Sequence, residues 1–194
     1  MHTLGLIIIV LVASILQAGT GFGFAIMATP FLLLLFEFHD AIQLNIILSL
    51  LISLLMIYKI RKEINKESLL RLTKGSLLGV LPGILLSSFL DARPLKILVS
   101  LLILISTGLL VAKVSIKESK SKEFTTGVIS GLLTTSLGMP GPPLLIYFAG
   151  TKVDKSTLRS TTLAYFIFVF LLSLLLQFSV YNISDEVWTA TLWS

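Results

Sequence analysis

The sequence predicts an all-α membrane protein that crosses the bilayer several times. Of its 194 residues, 55% are hydrophobic and only 13% are charged, whereas soluble domains carry roughly 25% charged residues. The charged residues also divide the chain into six uncharged spans, at 3–36, 41–58, 75–90, 97–112, 124–151 and 160–184. About 20 apolar residues cross roughly 30 Å of hydrocarbon, so these spans have the length of membrane segments.

The basic residues indicate how the chain is oriented. They crowd three loops, at 59–74, 113–122 and 152–159, and only Arg93 and Lys96 lie elsewhere. By the positive-inside rule all three loops should face the cytoplasm, which predicts a multi-pass protein of the cell membrane. Topology thus explains the net charge of +5, and we expect no nucleic-acid partner.

The first uncharged run, 3–36, is too long to be one crossing. As a straight helix it would measure about 51 Å, so it must be broken, and "GTGFGF" at 19–24 supplies three glycines for the break. The run is too short for two full crossings, which predicts two short helices meeting near the middle of the membrane.

The run 124–151 is expected to form a similar hairpin, broken at "GMPGPP", 138–143. If this run turned back on itself, 13 basic residues would lie on one side of the membrane and two on the other, rather than ten and five. The positive-inside rule therefore favours the hairpin.

The two breaks predict two repeats of opposite orientation. An odd number of crossings in the first unit makes the second unit enter from the other face. The first repeat is 1–114, with a hairpin at 3–37 and helices at 41–58, 72–90 and 95–114. The second is 123–194, with a hairpin at 124–151, a helix at 156–180 and the start of a further segment at 185–194. The stretch 59–74 is interpreted as a solvated loop, with an interfacial helix as the alternative.

A binding site is expected where the two broken segments approach each other. Unwound backbone is tolerated in a membrane only where it lines protein or a water-filled cavity. The start of a half-helix carries unpaired N–H groups and a positive dipole end, which favour an anion. The alternative is that these glycines serve helix packing only, as we expect for Gly75, Gly79 and Gly83 at four-residue spacing.

At these residues the chain resembles the sulfite exporter TauE/SafE family, also described as anion permeases. The resemblance lies in "QAGTGFGFAIMATPFL" at 17–32, "GLLTTSLGMPGPPLLIYF" at 131–148 and "RSTTLAYFIF" at 159–168. It implies a membrane protein with two related halves that exports or takes up sulfite, sulfonates or related anions. It also implies about two further helices after the one ending near Gln177, so a C-terminal truncation is expected. The family's signature positions fall on Gly19, Gly21, Gly23, Pro30, Gly131, Gly138, Gly141, Pro142 and Pro143.

Polar side chains near the breaks complete the predicted site. Thr135 and Ser136 are the best candidates for direct ligands, although each hydroxyl could instead bond to its own helix. Arg159 could attract the anion, or it could simply anchor the helix end. The predicted binding residues are Gln17, Gly19, Thr20, Gly21, Gly23, Asn45, Thr135, Ser136, Gly138, Pro140, Gly141, Pro142, Pro143 and Arg159.

The function predicted from these features is transport of a small anion by alternating access. The sequence contains no cysteine and two histidines, and it shows no nucleophile beside a base and no phosphate-binding loop. We therefore expect no enzyme activity, no metal site and no cofactor. The alternatives are an anion channel, or a membrane scaffold whose glycines only pack helices. The expected partners are a small anionic solute and the lipid bilayer.

Overall fold

A computed structural model describes residues 2–89, 91–112, 115–151, 153–180 and 185–193, and every regular element in these ranges is helical. The all-α prediction is therefore confirmed. The helices are α1 (His2–Thr20), α2 (Phe24–Leu35), α3 (Phe38–Ile60), α4 (Lys66–Phe89), α5 (Ala92–Val111), α6 (Lys120–Leu137), α7 (Gly141–Gly150), α8 (Lys155–Val180) and α9 (Asp185–Trp193), and a short 3-10 turn, Arg61–Glu63, follows α3.

Four of the described helices are long and apolar enough to cross a membrane, namely α3, α4, α5 and α8. Large apolar side chains on the outside of the bundle are exposed, among them Leu4 of α1, Leu55 of α3 and Leu104 of α5. A soluble protein rarely leaves so much contiguous apolar surface uncovered. In a bilayer the same surface contacts acyl chains, so the predicted membrane protein is confirmed.

The segment 59–74 is mostly helical, so its interpretation as a solvated loop was wrong. Helix α4 begins at Lys66 rather than at 72 because Asn65 caps it. The Asn65 side chain accepts a hydrogen bond from the amide of Ser68 (3.0 Å), and its carbonyl accepts one from the amide of Leu69 (2.9 Å). An Asn at this position satisfies amides that have no partner within the helix. Two predicted loop residues, Lys113 and Lys152, lie outside the described residues.

The two broken runs form hairpins with arms of unequal length. Helices α1 and α6 have 19 and 18 residues, whereas α2 and α7 have 12 and 10. At 1.5 Å per residue the first arms are about 27 to 29 Å long, close to the thickness of the hydrocarbon. Each hairpin therefore pairs a longer arm with a shorter one, and α6 is long partly because it begins at Lys120, before its uncharged run. Helices α1 and α2 are among the shorter apolar helices, and the expectation that two short helices meet near the middle of the membrane stays a prediction.

The basic segments meet at one end of the bundle, which we call the basic end (described residues 60–66, 115–120, 150–151 and 153–155). The amide of Ile116 donates to the carbonyl of Gly150 (2.7 Å), so α7 returns to the end from which α6 starts. The amide of Asn65 donates to the Thr161 hydroxyl (3.0 Å), which places the start of α4 beside the start of α8. Away from this end, the Lys96 ammonium donates to the carbonyl of Leu33 (3.2 Å) and links α5 to α2.

Helices α4 and α6 run parallel in backbone contact. A Cβ on Gly75, Gly79 or Gly83 would overlap the carbonyl oxygen of Phe124, Val128 or Leu132, respectively. Glycines of α6 approach α4 in the same way, since a Cβ on Gly131 would lie 2.6 Å from the Ser76 carbonyl oxygen. The prediction that the glycines of α4 form a packing face is confirmed, because only glycine lets two helices approach this closely.

A buried carboxylate fixes the α4–α6 pair at the basic end. Glu123 of α6 is 8% exposed, accepts a hydrogen bond from the Ser68 hydroxyl (2.5 Å) and forms an ion pair with Arg71. Arg71 also pairs with the exposed Glu67 at 3.1 Å. Pairing and hydrogen bonding offset the cost of removing the Glu123 charge from water.

Candidate functional site

The first break, at residues 21–23, holds the chain in a conformation that favours glycine. Gly21 has φ 86° and Gly23 has φ 125°, both in the region that side chains with a Cβ rarely adopt. Gly21 also packs directly on α8, since a Cβ at this position would lie 2.9 Å from the Cα of Arg159. Two independent constraints therefore require glycine at Gly21.

The second break ends α6 with a left-handed cap. Gly138 has φ 68°, its amide donates to the Thr134 carbonyl (2.8 Å), and the amide of Met139 donates to the Leu133 carbonyl (3.2 Å). This pattern satisfies the last carbonyls of a helix. Pro142 follows in the first turn of α7, where a missing amide proton costs no helical hydrogen bond. The sequence thus ends one helix and begins the next within a few residues.

Two side chains secure the second break from outside and inside its hairpin. The Asn45 amide of α3 donates to the Gly138 carbonyl at 2.8 Å, and the Ser130 hydroxyl of α6 donates to the Pro140 carbonyl at 2.8 Å. Asn45 is fully buried, and its own carbonyl oxygen, Oδ1, has no hydrogen-bond partner. Asn45 therefore holds the backbone of the break, and half of its hydrogen-bonding capacity is unused.

The short helices α2 and α7 begin beside each other. A Cβ on Gly141 would lie 3.6 Å from Cδ1 of Ile26 in α2 and 3.9 Å from Cζ of Phe166 in α8. From this junction α7 runs toward the basic end, while α2 runs to the Leu33 carbonyl that binds Lys96. The first turns of α2 and α7 are therefore in contact inside the bundle. Each helix start carries a partial positive charge. The start of α2 has free amides, whereas Pro142 and Pro143 leave the start of α7 with few, because proline has no N–H.

One face of α8 passes along both breaks, and we call it the break-facing stripe (Arg159, Thr162, Phe166, Ser173 and Gln177). These positions follow helical spacing, so they lie on one side of the helix. Arg159 touches Gly21, and Phe166 touches Gly141. Further along, the Ser173 hydroxyl lies 3.1 Å from the Thr135 hydroxyl, and the Gln177 amide donates to the Thr135 carbonyl at 3.0 Å.

Three polar atoms of this stripe are buried without a hydrogen-bond partner: Nε of Arg159, the hydroxyl of Thr162 and Oε1 of Gln177. Thr162 is fully buried, and Arg159 is partly buried. Unpaired buried polar groups are rare because each costs free energy, and each calls for an explanation such as a ligand. The Arg159 and Thr162 atoms lie on the section of α8 that contacts Gly21 at one end and Gly141 at the other, and Gln177 lies beyond it.

The hydroxyls chosen from the sequence are mostly engaged within their own helix. Thr135 donates to the Gly131 carbonyl (3.1 Å), and Ser136 donates to the Leu132 carbonyl (2.7 Å). This is the alternative considered for both residues. Their role as direct ligands stays a prediction.

The predicted residues of α1 lie in two environments, one buried against α3 and one exposed. Gln17 is buried, and its amide donates to the Ser49 carbonyl (3.3 Å) and the Ser53 hydroxyl (3.1 Å), which ties α1 to α3. Gly19 and Thr20 are exposed, and a Cβ on Gly19 would meet nothing within 4 Å. The structure therefore does not pack Gly19 against the second break or α8.

A cavity of about 450 Å³ opens between α5, α6 and α7. Its lining includes Lys122, Pro143 and Tyr147 together with mainly apolar side chains. Pro143 is the one predicted binding residue among those that line it. This cavity is therefore separate from the junction of α2, α7 and α8.

Sequence reasoning missed the polar residues of α8 beyond Arg159. Thr162, Ser173 and Gln177 are separated from Arg159 by 3, 14 and 18 positions, spacings that all return to one helix face. Polar residues that recur on one face of an apolar helix indicate a polar environment inside the bundle, and this pattern would have identified them.

Comparison with known proteins gives one match. The model of a protein family described as Sulfite exporter TauE/SafE matches residues 6–193. No curated protein and no solved structure matches the chain. The match extends almost to the last residue, so it does not support the expected C-terminal truncation.

Proposed function

The chain belongs to the sulfite exporter TauE/SafE family of membrane transporters, and on this premise we propose that it carries a small anion across the cell membrane by alternating access. The proposed substrate is sulfite, a sulfonate or another sulfur-containing or organic anion. No covalent chemistry is required, since the protein only has to replace part of the anion's hydration shell.

The observation that carries this proposal is the junction of α2, α7 and α8. The first turns of α2 and α7 are in contact there, and Nε of Arg159 lies buried and unpaired on the adjoining stripe of α8. Helix starts and a guanidinium both bind anions, and both act more strongly where water is excluded. An anion at this junction would supply the partners that these groups lack.

Helix contacts support the proposed inverted repeat. If α1, α2, α3 and α4 correspond to α6, α7, α8 and α9, packed pairs should recur between corresponding helices. Several do, although α2 packs on α3 more extensively than α7 packs on α8. Three correspondences are present: α1–α3 matches α6–α8, α4–α8 matches α9–α3, and α4–α6 matches α9–α1. Such a pseudo-twofold arrangement places a substrate between the two broken segments and allows access from either side.

The basic end supports an orientation in the membrane. Three segments rich in Lys and Arg meet there, and the positive-inside rule assigns such an end to the cytoplasm. Arg159 lies one turn into α8 from this end. In this orientation an anion arriving from the cytoplasm would meet Arg159 before it reached the start of α7.

The direct test is transport by the purified full chain in proteoliposomes. Uptake would be measured against a panel of sulfite, thiosulfate, alkyl sulfonates and carboxylates. We expect saturable uptake of at least one sulfur-containing anion, with counterflow. Flux that neither saturates nor supports counterflow would instead indicate a channel, and absence of flux for the whole panel would overturn the proposal.

A matched pair of variants tests the cation at the site. Arg159→Ala removes the guanidinium beside Gly21, whereas Lys122→Ala removes a cation from the separate cavity. We expect transport to fall more in Arg159→Ala. Equal losses would remove the special role of Arg159.

Gly141→Leu distinguishes transport from a scaffolding role. The new side chain would project toward Ile26 and Phe166, where the two helix starts meet. We expect the variant to insert into the membrane and to lose flux. Misassembly of the variant, together with an inactive wild type, would favour a scaffold.

A further inference from the structure

We propose that Thr162 is a substrate-binding residue, and that its hydroxyl donates a hydrogen bond to one oxygen of an oxyanion whose charge faces Arg159. This assignment rests on the proposed transport function and adds a specific residue to it. Its substrate class is an anion with several acceptor oxygens on one centre, such as a sulfite, sulfonate or carboxylate group.

The Thr162 hydroxyl differs from those of its neighbours Ser160 and Thr161 in its hydrogen bonding. Ser160 donates to the Ser156 carbonyl (2.7 Å), and Thr161 accepts from the amide of Asn65 (3.0 Å). The Thr162 hydroxyl is equally buried and has no hydrogen-bond partner. A helical threonine can bond back to the preceding turn, and the Thr162 hydroxyl does not, a property it shares with the buried Thr29 hydroxyl of α2. The Thr162 hydroxyl is therefore available to another partner, and its position on α8 distinguishes it from Thr29.

The second evidence is its position on α8. Thr162 lies three residues after Arg159 and four before Phe166, and those two residues touch Gly21 and Gly141. Residues at this spacing are neighbours on a helix surface, roughly 5–6 Å apart between their Cβ atoms. Thr162 therefore lies on the section of α8 between its contacts with the two breaks.

The chemistry of these groups suits an oxyanion. Arg159 offers N–H donors and a fixed charge, Thr162 offers one O–H donor, and the start of α2 offers backbone amides. An anion with several acceptor oxygens on one centre can accept from more than one of these donors at once. The hydroxyl then contributes to affinity and to the choice among anions, while the charge comes from Arg159.

The test compares hydroxyl and methyl at this position in the reconstituted full chain, with sulfite and methanesulfonate as probes. Thr162→Val keeps the shape and removes the donor, and we expect KM to rise about tenfold or more, the effect of one hydrogen bond to a charged group. Thr162→Ser keeps the donor and should stay within about twofold of wild type. Ser160→Ala, which removes a hydroxyl already bonded within the helix, is the matched control with unchanged KM.

A stability measurement separates binding from folding. In the substrate-free protein, Thr162→Val replaces an unpaired buried hydroxyl by a methyl group, which should leave Tm unchanged or raise it. Sulfite should raise the Tm of wild type more than that of the variant. Should the valine variant fail to fold, Thr162→Ala provides the same comparison.

The outcomes distinguish this assignment from the function on which it rests. If wild type transports no anion of the panel, the proposed function fails and the assignment fails with it. If wild type transports sulfite or methanesulfonate and Thr162→Val has the KM of wild type, the function stands and the assignment is overturned. A lower Tm in substrate-free Thr162→Val with unchanged KM would likewise show a purely structural hydroxyl.

Discussion

Gly21 and Arg159 pack so closely that no side chain fits between them. A Cβ on Gly21 would lie 2.9 Å from the Cα and 3.0 Å from the Cγ of Arg159, and the backbone of Gly21 has φ 86°. Because the obstacle includes backbone, a rotamer change of Arg159 cannot relieve it. The first break and the start of α8 are therefore fixed relative to each other.

Gly21→Ala should be severely impaired, and Gly19→Ala should not. Alanine at Gly21 meets both a steric overlap and an unfavourable φ, whereas a Cβ at Gly19 meets nothing within 4 Å. We expect Gly21→Ala to lose most transport activity or to assemble poorly, and Gly19→Ala to match or exceed wild-type stability, since alanine favours helix. Size-exclusion profiles and Tm in detergent, with flux in proteoliposomes, provide the comparison. Equal behaviour of the two variants would contradict the packing.

Gly79→Ala should disrupt the α4–α6 contact. The added methyl group would overlap the Val128 carbonyl oxygen, so the helices would have to separate. Overpacking of this kind costs about 1–3 kcal/mol and sometimes more. Gly108→Ala is the control, because a Cβ there meets nothing within 4 Å. We expect a large fall in Tm and yield for Gly79→Ala only, and a Gly79→Ala protein as stable as the control would show that the helices are further apart.

Asn45→Ala should destabilise the second break. The change removes the hydrogen bond from the Asn45 amide to the Gly138 carbonyl and leaves that carbonyl without this donor. We expect a loss of about 1–3 kcal/mol in the free energy of unfolding. Asn45→Asp should be worse at neutral pH, because a carboxylate oxygen would face the Gly138 carbonyl oxygen. A Tm for Asn45→Asp equal to that of wild type would contradict the bond.

Glu123→Gln should destabilise the bundle more than Glu67→Gln, although both carboxylates pair with Arg71. The Glu123 side chain is 11% exposed and that of Glu67 is 79% exposed, so solvent screens only the Glu67 pair strongly. We expect about 2 kcal/mol for Glu123→Gln, the size of a lost hydrogen bond to a charged group, and under about 0.5 kcal/mol for Glu67→Gln. Thermal unfolding of the two variants measures which one loses more stability. A larger loss for Glu67→Gln would contradict the prediction.

Asp154→Ala should lower stability in a pH-dependent way. The Ser156 hydroxyl and the amides of Ser156 and Thr157 donate to the Asp154 carboxylate, and these hydrogen bonds, chiefly that of the Ser156 hydroxyl, lower its pKa below the ordinary value of 3.8. A lowered pKa means that this stabilisation is complete above the ordinary value and is lost as the pH falls through the folded-state pKa. The Tm difference between wild type and variant should therefore be constant near neutral pH and shrink in acid. A Tm difference that persists at the lowest pH would contradict the role of these hydrogen bonds.

The hydrophobic pattern was sufficient to predict the helices but not their ends. Runs without charge predict where α3, α4, α5 and α8 cross, because burying charge in hydrocarbon is costly. The start of α4 could not be read from that pattern, since the local cap by Asn65 decides it. Likewise, charge marks 59–74 as interfacial without telling helix from loop, because an amphipathic helix and a loop can carry the same charges there.

The site was predictable at the level of backbone and not at the level of side chains. Glycine and proline mark where a helix must stop, so Gly21, Gly23 and Gly138 could be found from sequence. Whether a hydroxyl bonds to its own helix or faces a neighbour depends on rotamer and packing. Thr135 and Thr162 look alike in sequence, yet only Thr135 has partners.

The backbone contact between α4 and α6 constrains how the protein could change shape. Three carbonyls of α6 fit against three glycines of α4 at one fixed register, so sliding the helices by less than a full turn would force carbonyls against side chains. The two helices must then move as a single rigid body, although they lie in different halves of the chain. In the proposed transport cycle, α4 and α6 would therefore move together and carry part of each half with them.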